Sequence, residues 1–154
     1  GEPHELALGL AFGVFSGMMP VVPFQTVLAI ALAIFFKGSK ITAALGTWVS
    51  NPLNWYFIYY YSYRLGASVI GLPEKNAVFS SVMTALRSGE TPWVIVEKIF
   101  GAGTAIVSAF LIGGVMMGAV FGGLCFFIFL PIFKNIRSWR QSRKEHKHWR
   151  THRQ

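Results

Sequence analysis

Residues 13–25 read GVFSGMMPVVPFQ, an apolar stretch in which Pro20, Pro23 and the amide of Gln25 follow one another closely. A helix arriving at Pro20 loses a backbone hydrogen bond and meets a steric block, so two prolines three residues apart end it. The flanks are apolar: 6–19 carries no charge, and 24–36 is interrupted only by Gln25 and Thr26. As helices the two arms would measure about 21 and 20 Å, against about 30 Å for the hydrocarbon core of a bilayer. The whole of 6–36 would measure about 46 Å, too long for one comfortable span. A re-entrant hairpin turning at 20–25 satisfies both lengths, provided protein or a water-filled cavity covers the irregular backbone.

The design returns further on. Residues 41–50 lead into Asn51, Pro52, Leu53 and Asn54, and 55–70 is again apolar. Lys37, Gly38, Ser39 and Lys40 join the two segments, and Gly71, Pro73, Glu74 and Lys75 follow the second. Paired, Pro-interrupted apolar segments point to a binding site near the bilayer midplane in proteins built from repeats. Composition agrees with lipid as the solvent, with 53% hydrophobic residues, 13% charged and a mean hydropathy of +0.49. The sequence therefore predicts an all-α integral membrane protein with one membrane domain, 1–133. Its parts are two Pro-broken re-entrant hairpins, 5–36 and 41–71, an interfacial helix, 76–89, and a transmembrane helix or helix pair in 92–133.

The interfacial helix rests on Val78, Val82, Ala85 and Leu86 at helical spacing. Thr91 and Pro92 mark a helix start, as N-cap and first helical residue. Residues 99–133 carry no charge, yet one helix of that length would reach about 52 Å, so a turn or a kink is expected at Gly113 and Gly114.

Of the +8 net charge nearly all is a tail: 134–154 hold eight Lys/Arg and one Glu, whereas 1–133 hold six Lys/Arg and five Asp/Glu. Cations collect on the cytoplasmic side, so the tail is expected there. Re-entry of both segments from that side would place Lys37, Lys40 and Lys75 with it. Lys134, Arg137, Arg140, Lys144 and Lys147, with Trp139 and Trp149 between them, form a basic juxtamembrane helix or arm. Anionic lipid headgroups attract such an arm by about 1 kcal/mol per cation near the surface, and nucleic acid only non-specifically. The first apolar stretch follows Glu2 and Glu5 rather than a basic region, so no secretory signal is read there. The single Cys125 excludes an intramolecular disulfide.

Candidate residues fall into four groups. Gly9, Gly13 and Gly17, and again Gly114, Gly118 and Gly122, make stripes that let helix backbones approach, within the chain or in a homo-oligomer. Gln25, Asn51 and Asn54 stand at the tips, where they can cap the helix ends freed by Pro20, Pro23 and Pro52 or receive a polar group of a substrate. Tyr56, Tyr59, Tyr60, Tyr63 and Arg64 share a helix face, either as an aromatic belt or as a path on which Arg64 and Tyr60 hold a phosphate headgroup. His146, His148 and His152 lie among cations in a solvated tail and His4 far from them, so no metal and no cofactor is expected. No nucleophile–base set, phosphate loop or carboxylate within an apolar segment is present, and Glu97 beside Lys98 reads as an interfacial pair. The chain does not read as an enzyme.

Gly13-x-x-x-Gly17-x-x-Pro20, Gln25, and Gly46-Thr47-Trp48-x-Ser50-Asn51-Pro52 resemble the bacterial membrane family catalogued as domain of unknown function 2062. The match is strongest over 5–71 and extends through hydropathy to Arg137; Asn54 and Trp55 depart from the pattern after Asn-Pro. A looser likeness, in plan alone, is to the DedA superfamily, whose members carry Pro-rich re-entrant segments and move or scramble lipids; its acidic residue after the prolines is missing here, with Gln25 near that place. The resemblance implies the bacterial inner membrane. The function expected is movement of a lipid or lipid-linked headgroup through a polar groove at the tips. A small-solute channel or carrier, and a non-catalytic scaffold, are the alternatives.

Overall fold

The computed structural model describes residues 1–21, 23–73 and 77–151, the last eight of these by backbone alone. Among them are seven α-helices and no strand: α1 Pro3–Gly17, α2 Gln25–Phe35, α3 Lys40–Gly46, α4 Trp55–Ile70, α5 Ala77–Arg87, α6 Pro92–Phe100 and α7 Thr104–Thr151. A single 3-10 turn, Thr47–Val49, extends α3.

The first segment is a helical hairpin, as its prolines predict. α1 opens with Pro3 at its first position, and Glu5 reaches back to accept the Glu2 N–H at 3.0 Å. It stops at Gly17, before Pro20, and α2 starts after Pro23. α2 returns along α1: Phe36 stacks on Phe12 with ring centroids 5.0 Å apart, and Ser39 donates its N–H to the Glu5 carbonyl at 2.8 Å.

The second segment corrects the expected hairpin over 41–71. α3, capped by Ser39, runs along α1 in the same direction, with Gly9 facing Ser39 and Thr42, Gly13 facing Ala43 and Gly46, and Gly17 facing Thr47 and Val49. Beyond the break at 50–54, however, α4 does not pack on α3. It packs on α7 instead, where a Cβ on Gly66 would overlap the Ala109 carbonyl and one on Gly113 the Ser62 carbonyl. α7 in turn lies antiparallel to α1, with Gly122 against Ala11, Gly118 against Phe15 and Gly114 against Met19 and Pro20.

These pairings place 37–40 near the level of residue 124 on α7 and the end of α4 near residue 105. At 1.5 Å per residue the two ends are about 30 Å apart. α3 and α4 are thus two halves of one discontinuous passage, and Lys37 and Lys40 lie at the opposite end from 71–73. Lys75 lies outside the described residues. A Pro-amide break says that a helix stops; the direction of the next helix was set by the glycine contact between α4 and α7, which local sequence does not carry.

A hairpin does occur later, where a separate interfacial helix over 76–89 was expected; Asn76 lies outside the described residues. α5 runs antiparallel to α4, with the Phe79 ring 4.6 Å from that of Tyr63 and Arg87 beside Tyr56. Gly89 at φ +67 turns the chain, and α6 starts at Pro92 and packs back on α5. Thr91 holds the N-cap position, but its hydroxyl makes no capping bond. Amphipathic spacing does not distinguish a face laid on lipid from one laid on α4.

Of the turn and the kink expected at Gly113 and Gly114, the turn is corrected. The chain breaks earlier, at 101–103, with Gly103 at φ +96, and α7 then passes unbroken through both glycines and through Pro131. Gly113 and Gly114 serve close packing rather than a turn. Of the helix and the arm expected for the basic tail, 134–154, the helix is found: it continues α7 to Thr151. Among the described residues, α7 holds the one stretch long and apolar enough to cross a membrane, Thr104–Arg143. The main core lies between α4, α5, α6 and α7, around Tyr59, Tyr63, Phe79, Val82, Ile95, Ile99 and Phe110.

Candidate functional site

Three interruptions of the helices meet at one level. Gly17, at the end of α1, faces Thr47 and Val49, just before the second break. Thr26, in the first turn of α2, lies 3.3 Å from Thr47, hydroxyl to hydroxyl, and the Thr47 hydroxyl donates to the Ala44 carbonyl at 2.7 Å. The α5–α6 turn joins them through Trp93, whose ring meets that of Phe24 edge-on at 5.7 Å, and through Arg87, which reaches Tyr56 in the first turn of α4. Pro20 packs against Gly114 on α7, where a Cβ would come within 2.7 Å of the proline Cδ.

The amides at this level are not equivalent. Asn54 accepts the Asn51 N–H at 2.9 Å through Oδ1 and donates to the Val49 carbonyl at 2.5 Å, while the Asn51 Oδ1 accepts the Leu53 N–H at 3.0 Å. Both asparagines bond within the second break, where Asn54 satisfies the Val49 carbonyl at the end of the 3-10 turn but, at the N-cap of α4, makes no side-chain capping bond to that helix. Gln25 is different: it is 8% exposed, and its Oε1 has no protein partner. Three more buried polar atoms flank the breaks without a partner, Ser16 Oγ, Ser50 Oγ and Trp55 Nε1. Four such atoms at one level, among the described residues of an apolar protein, stand out, because a buried polar group left unpaired costs about 1–3 kcal/mol.

The bacterial family described as "Uncharacterized protein conserved in bacteria (DUF2062)" matches residues 1–143. The chain belongs to this family. No curated protein and no solved structure matches it.

In this DUF2062 chain the tyrosine face of α4 divides. Tyr59 and Tyr63 are core, at 2% and 0% exposure, and the Tyr63 hydroxyl donates to the Pro73 carbonyl at 2.9 Å. Tyr60 accepts from Arg64 Nη1 at 3.2 Å, with the guanidinium 5.6 Å from its ring, on the side of α4 that meets Phe79 of α5. Arg64 and Tyr60 lie above the breaks, so the five expected site residues form two places rather than one. Both glycine stripes are used inside the chain, Gly9, Gly13 and Gly17 against α3 and the following 3-10 turn, and Gly114, Gly118 and Gly122 against α1.

Sequence reading missed Arg87 and Glu90, and gave Lys98 to Glu97. They belong to the α5–α6 hairpin, whose signal was Ser88, Gly89, Glu90, Thr91 and Pro92 between two helix-spaced apolar runs. Lys98 pairs with Glu90 at 3.2 Å, not with Glu97, its neighbour in sequence. In the tail, Arg143 covers Trp139 at 3.8 Å, and Arg137 pairs with Glu2 at the start of α1. The side chains of Lys144, His146, Lys147, His148 and Trp149, and all of His152, lie outside the described residues. His4 packs edge-on against Phe126.

Proposed function

We propose that this chain is an integral protein of the bacterial cytoplasmic membrane that moves the headgroup of a lipid or lipid-linked molecule within or across the bilayer. The carrying observation is the layer of unpartnered buried polar atoms, Ser16 Oγ, Gln25 Oε1, Ser50 Oγ and Trp55 Nε1, where the breaks meet. Membrane embedding is supported by the large apolar side chains left open, among them Leu53 at 90%, Phe35 at 79% and Trp48 at 76% exposure. In this reading the basic end of α7 lies in the cytoplasm with Lys37 and Lys40, the first hairpin re-enters from that side, and 71–73 face the other side. The α5–α6 hairpin re-enters from the far side.

Irregular backbone at bilayer depth needs cover, and the exposed Pro52 and Leu53 of the second break support a homo-oligomer in which a second copy supplies it. The basic arm holds anionic headgroups near the cytoplasmic surface. The reading is non-enzymatic: the layer offers hydroxyls, amides and an indole, which bind and release polar groups.

Reconstitution tests it. Purified chain in liposomes is expected to carry fluorescent headgroup lipids between leaflets faster than empty vesicles do. Gln25→Leu is expected to slow this at unchanged folding, because its amide is not used in closing either break. Ion flux without lipid movement would turn the reading to a channel. Well-folded chain that moves neither would leave the scaffold.

A further inference from the structure

Arg87 is the charge that the proposed lipid path leaves unexplained. It hangs from the last turn of α5, exposed, with Nη2 donating to the Tyr56 hydroxyl at 3.0 Å and its guanidinium 4.8 Å from the Tyr56 ring. Glu90, three residues on, is paired with Lys98, and among the described residues no carboxylate reaches Arg87. Its depth follows from α4. Ser62 sits against Gly113, and Tyr56, six residues earlier, therefore lies level with about residue 119 of α7. That is about 22 Å from Thr104 and about 22 Å from Lys134, the middle of the apolar stretch. A cation held at mid-depth without an anion is expensive, and such residues mark the path of a ligand.

The surroundings name the ligand's charge and its route. Tyr56 stacks on Tyr60 with centroids 6.1 Å apart, and Arg64 lies over Tyr60. Two guanidinium groups are thus joined by two stacked phenol rings along one face of α4, the second about 12 Å nearer the far side. A guanidinium binds phosphate oxygens through two parallel N–H donors, which a carbonyl or hydroxyl ligand does not match.

Resting on the lipid-moving reading, we propose that Arg87 is the mid-depth station for a lipid-borne phosphate, positioned by Tyr56, and that Tyr60 and Arg64 continue its route toward the far side.

The test uses the full chain in liposomes with two fluorescent lipids, phosphatidylglycerol and the phosphate-free glucosylceramide. Arg87→Gln is expected to slow phosphatidylglycerol roughly tenfold or more, the scale of one charge-assisted bond, and to leave glucosylceramide unchanged. Arg87→Lys, which keeps charge without the paired donors, is expected to fall between. Tyr56→Phe, which removes only the hydroxyl, is expected to slow phosphatidylglycerol less and keeps the test open if Arg87→Gln does not fold. Phosphatidylglycerol movement at the wild-type rate in Arg87→Gln, or equal slowing of both lipids, overturns the proposal. If wild-type chain moves no lipid, the general reading falls, and native mass spectrometry with dihexanoyl phosphatidylglycerol decides the site alone. Binding lost in Arg87→Gln sustains it, and binding unchanged or absent in both overturns it. Displacement of that lipid by inorganic phosphate would assign the site to a free anion and overturn the lipid assignment.

Discussion

The two hairpins, α1–α2 and α5–α6, stop at the same level and arrive from opposite ends of α7, yet they are built from different residues. The first turns on Pro20 and Pro23 and brings one neutral amide, Gln25, to its tip. The second turns on Gly89 at φ +67 and brings Arg87, Glu90 and Lys98. Each is followed by a longer passage, α3 with α4 in one case and α7 in the other. The difference teaches that depth in the fold and polarity in the sequence are separate. The uncharged tip advertised itself by prolines in an apolar run, whereas the charged tip lay in a stretch whose composition resembled a surface.

Accessibility labelling gives the largest contrast. With Cys125→Ala as background, cysteines at Lys37 and Pro73 are expected to react with an impermeant thiol reagent from opposite sides of the membrane. Reaction of both from one side would break the opposed arrangement and restore the two same-sided hairpins.

A smaller but measurable effect lies in the packing that sets it. Gly66→Ala puts a methyl group into the Ala109 carbonyl and is expected to cost about 1–3 kcal/mol or more, seen as a lower unfolding temperature in detergent. Gly123→Ala, with nothing within 4 Å, is expected to change it little, and equal tolerance at both positions would show that α4 does not cross α7 there.

The smallest effect concerns the charged tip. Glu90→Gln leaves Lys98 without its partner, and the expected loss is about 1 kcal/mol, recovered at least in part by Glu90→Gln with Lys98→Gln. A double variant no better than the single one would show that the pair does not hold the second hairpin.

Much of the candidate site's local structure was legible in particular residues. Pro20, Pro23 and Pro52 marked true helix ends, and Gln25 proved the amide with unpartnered capacity. Asn51 and Asn54 were legible as break residues, but their hydrogen bonds are mutual and local, so spacing alone could not separate capping from binding. Arg87 was hidden because nothing between 77 and 92 says that Tyr56, 31 residues earlier, will meet it.

By itself the sequence determined the helices, the places where most of them stop, the apolar length of α7 and the basic end that follows it. These depend on proline sterics, side-chain polarity and residues within a turn of one another. Tertiary structure decided that α4 runs onward from α3 instead of folding back, that Gly113 and Gly114 stay helical, and that α5 and α6 form the opposing hairpin. The first two of those outcomes rest on close backbone contacts between residues far apart in the chain, and the third on side-chain contacts of α5 with α4. A missing Cβ permits a close backbone contact anywhere, and only the assembled helices select where it is made.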